Sequence, residues 1–266
     1  MSGTTAPHVT IANYVRAESD FQLRGYIEKF DCFGRLVHSR APYDVHNQVT
    51  VRGNRDTLYS FGVFDLTSPL TVRLPDPGDR YQSLMTVSQD HSIDVHYSPA
   101  EVTITAEAVG TRYGCVTVRT FADPDDNDDL RAAHALQDQV SIQQAEVGMF
   151  DVPSWDQHGV EEMRKTVAMV GSLATDSSRF FGIREELDPV YWTLGTAVGW
   201  GGLPAVAATY GITFPDRNDG QTPYTLHVAD VPVDAFWSVT LYDSEGWMPV
   251  NDLDAYSYNG VTAEHN

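Results

Sequence analysis

The chain has 266 residues, enough for one large domain or two small ones, and its 42% hydrophobic content can fill a sizeable core. Its 37 acidic residues against 17 basic give a formal net charge of −20, a field that repels phosphate backbones and anionic lipid surfaces and so disfavours nucleic acid and membrane partners. Lysine occurs only at Lys29 and Lys165, neither in a G-x-x-x-x-G-K-[ST] setting, which excludes a P-loop and makes pyridoxal chemistry a poor fit.

Asp outnumbers Glu by 26 to 11, and an Asp-rich, Lys-poor surface suits hydration in high salt. The opening "MSGTTAPHVT" has neither a positive n-region nor an apolar h-region, so the expected location is cytoplasmic. "AESDFQLRGYIEKF" sets Phe21, Ile27 and Phe30 among charges and predicts a helix, with Gly34 as its stop. Cys32 and Cys115 lack a C-x-x-C spacing and read as buried thiols. From Asn47 to Phe121 the chain reads as short strands: "VTVR", "LYSFGVFDL", "LTVRL", "YQSLMTVS", "VTITAEA" and "CVTVRTF", separated by turn signals. Strands at this spacing favour an antiparallel sandwich or barrel over a parallel sheet with crossover helices.

Two helices are predicted next, over "DLRAAHALQDQVSIQQ" and "WDQHGVEEMRKTVAMVGSL", the second with a capping box from Ser154 and Gln157. Between Asp188 and Asp216 lie 27 residues without a charge. Five glycines and Pro204 argue against a membrane helix there and for an irregular buried segment that fills a core or lines a pocket. Strands are expected again at "YTLHVADV" and "AFWSVTLYD".

The stretches "DTLYSFGVFDL", "SQDH", "HALQD", "VPSWDQ", "GTAVGWGGLP", "VPVDAFWSVTLYDSEGW" and "AYSYN" resemble the family in which domain of unknown function 1254 is followed by domain of unknown function 1214. The resemblance implies a β-rich α+β fold with two antiparallel β-sandwich-like domains and a helical segment between them. The corresponding division is 1–125, 126–190 and 191–266. It implies no reaction and no catalytic residues. Members of that family continue past the position of Asn266, so an exposed sheet edge covered by a second copy is a further expectation.

Candidate chemistry gathers at three places. In "GNRDTLYS", Asp56 could act as a base with Tyr59 as proton donor and Asn54 beside them; the bland reading is that Asn54 and Asp56 bond turn amides and Arg55 pairs with a carboxylate. In "SQDH", Gln89 and Asp90 precede His91, a candidate general acid or base. Trp200 and Trp237 could stack on a ligand ring, or could simply belong to the core. His91 and His96 have the wrong separation to share a strand face, and "DPDDNDDLRAAH" fails as a calcium loop, lacking Gly at its sixth position and Glu at its twelfth. No metal and no cofactor are expected. The leading expectation is an enzyme, hydrolase or lyase, using Asp56 and His91 on a small organic molecule between the β domains. The alternative is a non-catalytic sandwich that binds a carbohydrate or other small ligand. A pocket in which Asp56 and His91 converge would separate the two.

Overall fold

In the computed structural model, residues 6–48 and 52–263 are described. The elements in chain order are α1 (Tyr14–Phe30), β1 (Val37–His38), β2 (Thr57–Asp65), β3 (Leu70–Leu74), β4 (Gln82–Ser88), β5 (Ile93–Tyr97), β6 (Ala100–Ile104), α2 (Ala106–Val109), β7 (Tyr113–Phe121), α3 (Asn127–Gln137), β8 (Ser141–Gln144), α4 (Gln157–Gly171), α5 (Pro189–Val198), β9 (Ser238–Thr240) and β10 (Ser257–Asn259). The class is β-rich α+β, and all paired strands run antiparallel.

β2 and β7 pair along nine residues and form the centre of a five-stranded sheet ordered β1-β2-β7-β4-β5. Alternation sorts the side chains of this sheet onto two faces. Phe64, Leu84, Val116 and Val118 face a second sheet, β6-β3-β8, whose Leu70, Val72, Leu74 and Ile104 complete an apolar interlayer core. Phe61, Val63, Met85, Val87, Ile93 and Cys115 point the other way, where α1 covers them with Leu23, Tyr26, Ile27 and Phe30. Burying a side chain such as Leu23 or Val63 completely contributes about 1.5–3 kcal/mol. α1 ends at Asp31 in the left-handed conformation, whose N–H bonds to the Ile27 carbonyl. α4 and α5 pack beside α1 around Val9, Tyr14, Ala17, Val160 and Val167.

Several sequence expectations need correction. Of the run "VTVR" at 49–52, residues 49–51 lie outside the described residues and Arg52 is in a turn. The helix expected through Gln144 ends at Gln137; residues 141–144 become an edge strand because Ile142 finds Val72 across the ladder. "VTITAEA" is split, with the strand ending at Ile104 and Thr105 capping α2 through the Ala108 N–H. The capping box at Ser154 does not form, since α4 starts later, behind Asp156. Of the uncharged segment, 189–198 is helical, with Asp188 accepting from the amides of Val190 and Tyr191, and 209–215 is exposed. Residues 224–231 form no strand, and only Ser238–Thr240 of "AFWSVTLYD" does, pairing with Ser257–Asn259. Alternation in 224–231 has no neighbouring strand among the described residues to complete its hydrogen bonds.

Candidate functional site

On the α1 side of the large sheet, paired residues form rows across the strands. The first is Val63–Cys115–Val87–Ile93, the second Phe61–Thr117–Met85–Val95, and the third Tyr59–Arg119–Ser83–Tyr97. The character changes from apolar to polar along this sequence. α1 packs on the first two rows, and residues 200–208 pass over the same face through Trp200, Leu203, Ala207 and Ala208.

The third row is built from tyrosines around one guanidinium. The Arg119 guanidinium carbon lies 5.8 Å from the centre of the Tyr81 ring. Tyr81 packs against Tyr97 at 6.1 Å and against Phe236 of the C-terminal segment at 5.4 Å, while its hydroxyl donates to Ser83 Oγ at 2.9 Å. Tyr59, Tyr81 and Tyr210 all act on Arg119 electrostatically. Burial works against its charge, but the phenols outweigh burial and hold its proton more tightly than usual. Its Nε is buried without a hydrogen-bond partner. Among the described residues Arg119 makes no ion pair with a carboxylate. Tyr97 and Tyr210 are exposed, so solvent reaches this end of the sheet.

Asp56 lies next to this row, just before β2, and is 1% exposed. Its Oδ1 accepts from Ser257 Oγ at 3.1 Å and Asn259 Nδ2 at 3.0 Å, both from the C-terminal segment. Its Oδ2, the Thr57 hydroxyl and the Tyr256 hydroxyl are buried without partners. Asn54 Oδ1 accepts the Asp56 N–H at 2.6 Å, the turn-anchoring role that its residue type favours. Among the described residues Arg55 does not pair with a carboxylate. It donates to the Tyr43 carbonyl at 3.0 Å and lies over the Tyr256 ring. The Tyr242 hydroxyl donates to the Gly53 carbonyl. The whole 53–59 stretch is thus clamped by chain some 200 residues later, as Asp56 to Asn259 shows.

His91 is at the other end. Asp56 sits beside Ala122, whereas the β4–β5 turn that carries His91 follows the Ser88–Gly114 pair. Eight residues of β7 separate these levels, or roughly 26 Å at strand rise. The expected acid/base pair therefore does not converge. His91 is fully buried, in the left-handed region at φ 57°, which His tolerates better than most residues. Its Nε2 accepts the Gly201 N–H at 2.8 Å, so its Nδ1 carries the proton and donates to Thr196 Oγ1 at 2.8 Å; that hydroxyl in turn donates to the Trp192 carbonyl at 2.9 Å. Gly201, at φ 76°, supplies the backbone turn that lets its amide reach the ring. Burial pushes the His91 pKa down to about 3. This imidazole is neutral and saturated, a cross-link between the β4–β5 turn and α5.

Its neighbours have similar duties. Gln89 donates to Asp20 Oδ1 at 2.6 Å and accepts the Tyr113 N–H, while Asp90 pairs with Arg16 at 2.6 Å. Trp200 stacks on His91 at 5.8 Å and donates to Ser19 Oγ. Trp237 lies far from Trp200 along the chain fold, with its ring against Gly260, where a Cβ would meet Nε1 at 2.7 Å. Of the expected residues, the fold gathers Asn54, Asp56 and Tyr59 at one end and Gln89, Asp90, His91 and Trp200 at the other. Among the described residues, no group of three or more His, Cys, Asp or Glu side chains is arranged to hold a metal. No described helix is long and apolar enough to cross a membrane.

Sequence reasoning missed Arg119, Tyr81 and Tyr97. The signal was present in "YGCVTVRTF": Tyr113, Cys115, Thr117, Arg119 and Phe121 share one face, and an arginine in line with buried residues is costly unless used.

The family described as "Protein of unknown function (DUF1254)" matches residues 33–92, and that described as "Protein of unknown function (DUF1214)" matches residues 207–266. No curated protein matches the chain significantly. A solved structure, the VPA0106 protein from Vibrio parahaemolyticus, aligns over 93% of this chain and 82% of its own with a TM-score of 0.63; at 16% identity the likeness concerns the fold alone. The first match contains Asn54, Asp56 and Tyr59, and the second contains Tyr210, Phe236, Ser257 and Asn259, so the two matched regions meet at the tyrosine end of the large sheet. The chain carries a DUF1254 segment followed by a DUF1214 segment, the order that its sequence motifs imply.

Proposed function

We propose that this protein binds a small ring-bearing organic molecule on the Tyr59–Arg119–Ser83–Tyr97 row, under the C-terminal segment, and that it does so without acid/base catalysis by Asp56 and His91. The observation that carries the reading is the row itself. A sheet face that is otherwise apolar ends in Tyr59, Tyr81, Tyr97 and Phe236 around a few convergent polar groups, which is the usual make-up of a small-molecule site. Tyrosine offers a flat apolar surface and a polar tip at low conformational cost. The hydrolytic reading loses support because its two titratable groups stand at opposite ends of the sheet and His91 has both nitrogens engaged.

The reading is tested by titrating the protein with phenols, benzoates and hexoses, following intrinsic fluorescence and melting temperature. Compounds that bind should lose about tenfold or more in affinity in Tyr81→Ala and Tyr97→Ala, consistent with 1.4 kcal/mol or more of ring contact. They should be unaffected by Asp90→Asn, which lies at the far end. Binding that survives both tyrosine changes, or the lack of any bound ring compound, refutes the proposal.

A further inference from the structure

We infer that the molecule taken by this row is a monoanion with a carboxylate beside its ring, and that Arg119 is the counter-charge; this rests on the reading of the row as a ligand site. The chain holds 37 acidic residues, and three other arginines on or beside the strands use them, whereas Arg55 bonds to the Tyr43 carbonyl. Arg80 pairs with Asp129, Arg112 with Asp65 and Arg73 with Glu101. Arg119, on the central strand, pairs with none of the described carboxylates. Its neighbours are phenols and a serine, which present single oxygens and leave the buried Nε unsatisfied. An unmet buried donor costs about 1–3 kcal/mol. A planar carboxylate meets Nε and one Nη together in a two-pronged bond, the arrangement that guanidinium is shaped for.

Geometry and charge narrow the class. Tyr59 and Tyr97 are three strands apart across the row, roughly 14 Å at the usual strand spacing. Arg119 stands one strand from Tyr59 and two from Tyr97, with the Tyr81 ring 5.8 Å from the guanidinium and 6.1 Å from the Tyr97 ring, so a ring whose carboxylate meets Arg119 would pack against tyrosine. One guanidinium neutralises one charge, and the −20 field of the chain works against bringing in more. A phosphate dianion is thereby disfavoured and a single carboxylate favoured. An open concavity of about 460 Å³ elsewhere, beside Ser178, Arg179 and Pro189, is lined by Glu185, Glu186 and Asp188, and these carboxylates disfavour the same ligand.

The test uses matched pairs that differ only in charge: benzoate against benzamide, and glucuronate against glucose, measured by calorimetric titration of the full chain. The expected result is that in one pair the carboxylate binds about tenfold tighter than its neutral partner or better. Arg119→Met should reduce that preference to within about twofold, and Arg119→Lys, which keeps the charge but loses the fork, should retain only part of it. The pair that responds tells an aromatic acid from a sugar acid. Should Arg119→Met fail to fold, judged by circular dichroism, Arg119→Lys alone decides, since an undiminished preference there contradicts the two-pronged bond. If neutral and charged members bind alike, or the variants leave the preference untouched, the charge inference falls while the ligand site stands. If no member of either pair binds, the site reading falls with it.

Discussion

Acidification should destabilise this protein through His91, and the size of the effect follows from its surroundings. The ring is fully buried, its Nε2 accepts from Gly201 and its Nδ1–H donates to Thr196. A second proton on Nε2 would face the Gly201 N–H, so burial holds the folded pKa down to about 3 against an ordinary 6.5. Because the folded value lies below the unfolded one, the unfolded chain takes up the proton first. Stability is complete above pH 6.5, declines below it, and stops declining through this group near pH 3. At pH 5 the loss is about 2 kcal/mol, from 1.5 pH units at 1.36 kcal/mol each, and the limit near pH 3 is about 5 kcal/mol. For a chain of this size 2 kcal/mol lowers the melting temperature by about 4–8 °C. The variant His91→Asn suits the left-handed backbone and should be less stable at pH 7.5 by about 2–4 kcal/mol, having lost two hydrogen bonds and left a cavity. Its stability should then fall by about 2 kcal/mol less than that of the parent between pH 7.5 and 5, because the remaining groups cancel in the comparison. Urea denaturation at each pH measures both slopes, and proton NMR of the ring gives the titration directly. Equal slopes, or a His91 midpoint near 6.5, would refute the reasoning.

Asp65 is buried against Arg112, with Arg112 Nη2 at 2.7 Å; burial alone would raise its pKa, but Arg112 and the amides of Thr67 and Met149 prevail and hold it well below the carboxylate range. Asp65→Asn should cost about 3 kcal/mol in urea denaturation at neutral pH, and since the folded value is depressed, this contribution fades only as pH falls below about 4. Asp20 behaves oppositely: burial raises its pKa despite bonds from Trp155 and Gln89, so stability through this group grows as pH falls from neutral toward the ordinary value. Asp20→Asn should remove that dependence and cost about 1–2 kcal/mol at pH 7, because one amide oxygen cannot serve both donors; a variant with the parent's pH slope contradicts it. From the 37 acidic residues, melting temperature should rise between low and molar salt as repulsion is screened; a flat or falling series would count against this.

Much of the first β region was legible because its strands carry their own faces. "LTVRL" alternates Leu70, Val72 and Leu74 inward with Thr71 and Arg73 outward, and its strand bounds coincide with the sequence reading. α1 was equally clear, since charges alternate with Ile27 and Phe30. The failures have a common cause. Residues 141–144 and 224–231 have similar local patterns, yet the first pairs with β3 and the second pairs with no described strand. Local alternation states that a segment can be a strand; whether a neighbour with free hydrogen-bonding groups lies beside it is decided by the rest of the chain.

The site follows the same logic with higher stakes. "NRDTLYS" and "SQDH" look alike as polar clusters beside apolar runs, and composition offers no way to say that the antiparallel path of β2, β7 and β4 carries them to opposite ends of one sheet. What the sheet does with each differs in kind. At the His91 end the polar groups of the motif are paired, Gln89 with Asp20, Asp90 with Arg16, and both ring nitrogens engaged, and Trp192 Nε1 on α5 is the buried exception beside them. At the Tyr59 end the accounts stay open, with Arg119 Nε, Asp56 Oδ2 and the hydroxyls of Thr57 and Tyr256 buried and unmatched. Saturated polar clusters hold a fold together, whereas unmatched buried groups cost stability unless something completes them. Both family-matched regions contribute to the open end, Asp56 and Tyr59 from one and Tyr210 and Phe236 from the other. The functional reading is therefore placed on the tyrosine row, where a bound carboxylate would complete what the chain leaves undone.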